Sequence, residues 1–255
     1  MTDMKALFVS DVHFPKHDPR LVSLWFDVLK WLKPNSVDLV GDIDEAEGTS
    51  RWVEGTSKEG FSIRDAGITD TRQFLVDINA VVPRADKHFH DGNHGWFRHR
   101  KWLDKNQPQT LVDETYTPET LYEYDKAGFE FHHYDKPPVH RFGNKMGGIY
   151  VHHGESISKH SGESVRNDCL NFGVSLIRGH SHRQGEYFQT YPLTGQVLRG
   201  FEIGHMCDPN KMDYDTSPNW QAGFAWGLVS GDEIFIDTIE IHNYKCYVAG
   251  RVFQG

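Results

Sequence analysis

The chain has 255 residues, enough for one α/β domain with a well-buried core spanning residues 1–255. Its formal net charge of -9 lacks the broad basic surface with which proteins grip duplex nucleic acid, so nonspecific duplex binding is not expected. Cys169, Cys207 and Cys246 are odd in number and far apart, which excludes a paired disulfide framework and a Cys-X-X-Cys zinc site and predicts reduced, packed thiols.

The first part of the chain alternates predicted strands and helices. Met1–Lys5 leads straight into the first strand without a charged or apolar leader. In chain order the predicted elements are a strand at 6–10, a helix at 20–33, a strand at 37–40, a helix at 71–82 and a strand at 87–90. This β-α-β-α-β order predicts a parallel sheet.

After Gly95 a segment rich in charge and aromatic residues runs to about residue 138. Residues 96–104 have a helical pattern, and the rest of 95–138 is expected to form a lid or an insertion. From residue 139 onward short strands dominate, at 148–152, 174–178, 185–191, 197–203, 225–230 and 234–241, with a helix at 161–172. These strands predict a second sheet packed on the first.

No segment is apolar enough to span a bilayer, so no membrane partner is expected and the predicted location is the cytoplasm.

Five short clusters of metal-ligand residue types follow or end predicted strands. They are Asp11-Val12-His13, Gly41-Asp42, Gly92-Asn93-His94, His152-His153-Gly154 and Gly179-His180-Ser181-His182. Imidazole, carboxylate and amide oxygen suit divalent transition ions, and open α/β sheets gather their sites at the carboxyl ends of the strands. The clusters therefore predict one dinuclear metal site. In an extended segment Asp11 and His13 would share a face.

In this order, the clusters resemble the calcineurin-like metallophosphoesterases, whose pattern is Asp-X-His, Gly-Asp, Gly-Asn-His, His-Gly and Gly-His-X-His. The resemblance covers residues 6–182. Residues 204–207 and 218–224 are also similar to the C-terminal region of members found in phages and prophages, which would place the protein in the host cytoplasm. The resemblance implies a four-layer αββα sandwich of two mixed sheets.

The resemblance also implies a ligand set. Asp11, His13 and His182 would bind the first metal, Asp42 would bridge, and Asn93, His153 and His180 would bind the second. If the strand register slips by one residue, His152 takes the place of His153. The two divalent ions are expected to be manganese, with iron, zinc, nickel or cobalt also suited to this ligand set. The positive charge of two such ions exceeds the negative charge of the two carboxylates and a bridging hydroxide. The pocket for phosphate is therefore expected to be cationic.

The implied activity is hydrolysis of phosphoesters by a metal-activated hydroxide, with His94 assisting the leaving group. Phosphodiesters of nucleotides or of single-stranded nucleic-acid ends are the expected substrates. The alternatives are a phosphomonoesterase and a catalytically silent metal-binding interaction module. The signatures of Ser/Thr protein phosphatases are absent, because Glu45-Ala46 and Asp91 stand at the positions of their arginines.

Two further departures from the family pattern concern His94. Gly95 replaces the acidic residue that often follows Gly-Asn-His, and Glu45 stands where many members have Asp or Asn, with Asp44 beside it. Either of these two carboxylates is expected to hold the His94 imidazole.

Candidate substrate-binding residues lie close to the motifs. Arg98 begins the basic run 98–101 and Arg183 follows the last ligand; each is expected either to reach a phosphate or to serve a solvated face or an ion pair. Trp96, Phe97 and Trp102 have the spacing of a packed helix side, with base stacking as the alternative, while Cys207 and Trp220 are predicted to pack. The histidines outside the motifs are expected to be solvent-facing or core residues: His17, His88, His90, His99, His132, His133, His140, His160, His205 and His242.

Overall fold

The computed structural model describes residues 3–145, 147–212 and 218–255. Met1 and Thr2, with which the predicted leaderless N-terminus begins, lie outside the described residues. The helices are α1 (Pro19–Leu32), α2 (Ala66–Val81), α3 (Trp96–Asn106), α4 (Pro108–Val112), α5 (Pro118–Tyr122) and α6 (Glu163–Phe172). No helix among the described residues is long and apolar enough to cross a membrane.

The strands form two larger sheets and a small hairpin. They are β1 (Met4–Val9), β2 (Ser36–Val40), β3 (Asp86–His90), β4 (Phe129–His132), β5 (Val139–Phe142), β6 (Ile149–Val151), β7 (Ser175–Arg178), β8 (Gln184–Thr190), β9 (Val197–Ile203), β10 (Gly223–Ser230), β11 (Glu233–Glu240), β12 (Lys245–Val248) and β13 (Arg251–Gln254).

The first sheet has the strand order β11-β10-β1-β2-β3-β4, and the second has the order β5-β6-β7-β9-β8. Strands β1 to β4 run parallel, as the alternating pattern predicts, and β10 and β11 complete the first sheet in antiparallel fashion. The second sheet is also mixed, because β6, β7 and β9 are parallel while β5 and β8 pair antiparallel. The prediction of two mixed sheets is confirmed.

Alternation along β1 shows how the layers pack. Leu7 and Val9 lie in the cluster that includes helices α1 and α2, whereas Ala6 and Phe8 lie in the cluster that joins the two sheets. Side chains of a strand point to opposite faces in turn, so one short strand contributes to both interfaces. A third cluster packs α6 against Leu176 of β7. The layers are therefore helix, sheet, sheet, helix, the αββα arrangement that was predicted.

Most sequence-based element boundaries lie within two residues of the observed ones, and larger differences occur at α2 and in the segment 95–138. Helix α2 begins five residues before the predicted start, because the Asp65 side chain caps it by accepting a hydrogen bond from the Gly67 amide at 2.8 Å. The segment 95–138 contains α3, α4 and α5 and ends in β4, which pairs with β3 and extends the first sheet. Its last part therefore belongs to the sheet, which the expectation of a lid or an insertion did not include.

Candidate metal centre

Five of the predicted ligands have left-handed backbone conformations. The φ angles are 53° for Asp11, 55° for His13, 50° for Asp42, 71° for His180 and 56° for His182. The expectation that Asp11 and His13 lie in an extended segment is therefore wrong; the chain turns sharply after β1, and the turn aims both side chains at the same point. Such conformations cost roughly 1–2 kcal/mol per residue and cluster at functional sites.

Asp11, His13 and His182 form the first group of ligand atoms. Oδ1 of Asp11 lies 3.1 Å from Nε2 of His182 and 3.7 Å from Nε2 of His13, and the two Nε2 atoms are 3.0 Å apart. Nδ1 of His13 donates to Glu45 Oε2 at 2.6 Å, which turns the other ring nitrogen toward its two partners. Three buried donor atoms thus converge on one point, as the resemblance implies.

Asp42, His153 and His180 form the second group. Nδ1 of His153 donates to the Val40 carbonyl at 2.8 Å, so in the neutral ring Nε2 presents its lone pair to Asp42 Oδ2, 3.1 Å away. The same oxygen of Asp42 is 3.8 Å from Nε2 of His13 in the first group. Asp42 therefore lies between the two groups, at the position expected of a bridge.

The neighbouring His152 points away from this centre. Its Nε2 lies 3.0 Å from the Tyr134 carbonyl oxygen, and its Nδ1 accepts from the Gly154 amide at 3.0 Å. Both ring nitrogens are occupied, so of the two histidines left open by the sequence the structure directs His153 at Asp42.

Unpartnered buried atoms test whether the centre fits divalent ions. Oδ1 of Asp11, Oδ1 of Asn93 and Nε2 of His153 have no hydrogen-bond partner among the residues that the structure describes. Buried polar atoms are normally satisfied, and a group of unsatisfied acceptors facing one space calls for a cation. The residues present therefore fit divalent metal ions, and Asn93 adds an amide oxygen to the cavity that Asp42 and His180 also line.

Ionisation of the side chains agrees with this fit. Burial raises the pKa of Asp42, but the neighbouring His153 and His94 outweigh it, so the pKa lies well below its usual range. Burial lowers the pKa of His13, yet hydrogen bonds to Asp11 and Glu45 raise it to about 10. In the metal-free protein the carboxylates around His13 stabilise a proton on its ring, and a metal ion bound there would displace that proton.

His94 lies beside both groups without joining either. Nδ1 of His94 is 3.1 Å from Oε2 of Glu45 and 3.1 Å from the Glu45 carbonyl oxygen, while Nε2 is 4.0 Å from Asp42 Oδ2. Asp44 instead pairs with Nε2 of His99 at 2.9 Å. Of the two carboxylates the sequence left open, Glu45 contacts His94.

A cavity of 470 Å³ opens over the centre and is lined by Asp42, Asn93, His94, His180 and His182. The predicted Arg98 and Arg183 also line it. Arg98 donates to the Glu45 carbonyl at 3.1 Å, and Arg183 donates to that of Asn219 at 3.1 Å. These bonds hold both guanidinium groups at the cavity wall.

Two tryptophans on the cavity wall were not predicted as site residues. Trp52 is 74% exposed, with the Arg51 guanidinium 4.6 Å from its ring centroid. Trp220, expected only to pack, lines the cavity with its ring 4.3 Å from that of His182. No motif marks either residue; an Arg-Trp pair in a loop shortly after the bridging Asp is the one available signal. Two of the aromatic residues of α3 pack as predicted. Trp96 is buried in the core, and Trp102 packs at the edge of the same core.

No protein-family model matches the chain. Gene 54 protein of Mycobacterium phage D29 is 28% identical over 98% of both chains, and Gene 54 protein of Mycobacterium phage L5 is 27% identical over 98% of both. Among solved structures, Vacuolar Protein Sorting 29 from Cryptosporidium parvum aligns over 100% of both chains with a TM-score of 0.52 and 14% identity. This structural similarity shows that the chain has the metallophosphoesterase fold.

Proposed function

We propose that the protein is a two-metal phosphodiesterase that acts on nucleotides or on single-stranded nucleic-acid ends. The observation that carries the proposal is the convergence of two groups of buried ligand atoms, joined by Asp42, on a cavity that also exposes His94. When bound, two divalent ions lower the pKa of water and neutralise the charge on phosphoryl oxygens. A phosphoester is the substrate class that such a centre serves.

His94 is proposed to donate a proton to the leaving oxygen. Its Nδ1 is held by Glu45, so Nε2 faces the cavity and the centre. Burial lowers the pKa of His94, and the Asp42 and Glu45 carboxylates oppose that effect. An anionic substrate adds negative charge beside the ring and would oppose this lowering of the pKa, which favours the protonated imidazole that the proposal requires.

The arginines suit either class of phosphoester, and the shape of the cavity favours a diester over a monoester. Arg98 and Arg183 stand on the cavity wall, where guanidinium groups are suited to phosphate oxygens. A second cavity of 650 Å³ shares Trp52, Glu45 and Ser50 with the first. A substrate with groups on both sides of the scissile phosphate would occupy both spaces. Trp52 stands at their junction and offers a face on which a base would stack.

Hydrolysis assays with manganese test the proposal. Purified protein is expected to hydrolyse bis-p-nitrophenyl phosphate faster than p-nitrophenyl phosphate. Turnover of the monoester alone would replace the proposal with a phosphomonoesterase. No turnover with manganese, iron, zinc, nickel or cobalt would favour an interaction module that holds metal without catalysis.

The His94→Ala variant separates catalysis from metal binding. It is expected to retain its metal content and to lose rate by roughly 10²–10⁴-fold, the usual contribution of a general acid. His160→Ala is the matched control, because His160 is exposed and lies outside the cavity lining. Full activity in His94→Ala would show that His94 does not act as the general acid. Loss of metal from this variant would show that His94 is a metal ligand.

A further inference from the structure

A second cluster of ligand-type side chains lies on the two outermost parallel strands of the first sheet. His88 of β3 is in register with Glu130 of β4, and His90 is in register with His132. Side chains two residues apart in a strand share a face, so all four project from the same face. None of them belongs to the metal centre, and the sequence patterns predict no ligand role for these histidines.

Three donor atoms of this cluster approach one another closely. Nδ1 of His88 lies 3.0 Å from Nε2 of His132 and 3.5 Å from Oε2 of Glu130, and the three atoms are all within 4.8 Å. The rings of His88 and His132 stack with an interplanar angle of 17°. Two nitrogens bound to one tetrahedral zinc ion at ordinary bond lengths would be about 3.3 Å apart. The observed spacing is close to this value.

In the structure the nitrogens of His88 and His132 share a hydrogen bond of 3.0 Å, which a bound ion would replace. Burial lowers the pKa of His132 to about 3 and also lowers that of His88, so both rings are neutral near pH 7. Arg141 lies on the same face, but Asp38 accepts from its Nε at 2.9 Å and balances its charge. Asp38 also lies 3.0 Å from Nε2 of His90. This contact engages the His90 ring with Asp38, so His90 is not counted among the ligands.

We propose that His88, His132 and Glu130 bind a single divalent transition ion of the zinc class, separate from the dinuclear centre. Two imidazoles and one carboxylate form a ligand set that zinc accepts, with water in the fourth position. The Glu130 side chain is 67% exposed, which gives the ion a route from solvent. The ion would link the edge strand β4 to β3 and so fasten the end of the segment 95–138 to the sheet.

Zinc stoichiometry tests the proposal without any assay of activity. Wild type, His132→Gln, Glu130→Gln and His133→Gln are dialysed against zinc, and the metal content per chain is measured by mass spectrometry. His133 is the matched control, because it follows His132 but lies outside the cluster. His132→Gln is expected to carry one zinc ion fewer than wild type and His133→Gln, whatever the occupancy of the dinuclear centre. Glu130→Gln is expected to bind that ion at least about ten-fold more weakly.

Equal zinc content in wild type and a folded His132→Gln variant would overturn the proposal. If His132→Gln does not fold, Glu130→Gln decides, since its exposed side chain can be changed without disturbing the core; unchanged affinity for every zinc ion would then overturn it. The diester assay reports separately on the dinuclear centre, and Glu130→Gln is expected to leave that rate unchanged.

Discussion

Oε2 of Glu45 lies 3.1 Å from Nδ1 of His94, and the same oxygen accepts from Nδ1 of His13 at 2.6 Å. One carboxylate oxygen therefore orients both a predicted metal ligand and the proposed general acid. The Glu45 side chain is nearly buried, and Lys16 lies 3.4 Å from its other oxygen. In the proposed mechanism, metal coordination and proton donation would be coupled through Glu45. The sequence alone could not choose Glu45 over Asp44.

Glu45→Gln keeps the size of the side chain and removes its charge. We expect the affinity for metal to fall by roughly 10–100-fold, because the amide supports His13 less well. At saturating manganese we expect kcat to remain about 10²-fold below wild type, since His94 is no longer oriented by a carboxylate. Asp44→Asn is the control and should lower the melting temperature while kcat stays near wild type, because Asp44 contacts His99 and Tyr122. A normal kcat in Glu45→Gln would show that the contact with His94 is not used.

The same variant should change the pH profile. The Glu45 charge raises the pKa of His94 against the lowering effect of burial, so its removal lowers that pKa. If His94 acts as an acid, activity is lost as the pH rises through this pKa, and the basic limb of kcat/KM should move to lower pH. The profile is measured with bis-p-nitrophenyl phosphate at saturating manganese. A basic limb that stays in place would contradict proton donation by His94.

Trp52→Ala should distinguish substrates that carry a base from those that do not. Loss of a stacking face costs about 1–3 kcal/mol per base, so kcat/KM for thymidine 5′-p-nitrophenyl phosphate should fall at least about five-fold. Methyl p-nitrophenyl phosphate has the same leaving group without the base, and its kcat/KM should be unchanged. Trp52→Phe should retain most of the preference. Trp31→Ala serves as the control, because Trp31 packs on Phe253 and not on the cavity. Equal losses on both substrates would exclude base stacking.

The fold was predictable where hydrophobic periodicity extends over a whole element. Helix α1 buries Leu21, Leu24, Trp25 and Val28 at the spacing read from the sequence, and β2 and β3 have the expected bounds to within a residue. Strands β4 and β5 and the hairpin of β12 and β13 were missed because each strand has four residues and a mixed polar composition. Their conformation is set by pairing with a neighbour, which no local pattern contains.

The candidate site was predictable in its ligand types but not in its geometry. The motifs supply the side chains that converge, because their spacing along the chain follows the strand ends. The left-handed turns at Asp11 and His13, the selection of Glu45 and the position of Trp52 depend on contacts between loops far apart in sequence. Short-range patterns carry no information about such contacts, so these features follow only from the structure.

Gly179→Ala should disturb the centre through a single methyl group. A Cβ at this position would overlap the Ser10 hydroxyl and the Asp11 carboxylate, although the backbone φ itself suits any residue. Overpacking costs typically about 1–3 kcal/mol, so we expect a lower melting temperature and reduced metal occupancy. Gly147→Ala is the control, because its nearest contact would be Asn144 Oδ1 at an ordinary 3.6 Å. Normal metal occupancy in Gly179→Ala would show that the loops adjust without loss of ligand geometry.

Backbone strain at the ligand loops should appear in a comparison of His182→Gly with His182→Ala. His182 has a φ of 56°, a conformation that glycine adopts freely and alanine adopts at a cost of roughly 1–2 kcal/mol. Both variants lack the imidazole, so their difference isolates the backbone. In metal-free protein we expect the glycine variant to have the larger free energy of unfolding, by about 1 kcal/mol, measured in urea. The neighbouring Ser181 lacks a positive φ, so Ser181→Gly should be less stable than Ser181→Ala. If alanine gave the larger free energy of unfolding at both positions, the left-handed conformation of His182 would not be strained in this chain.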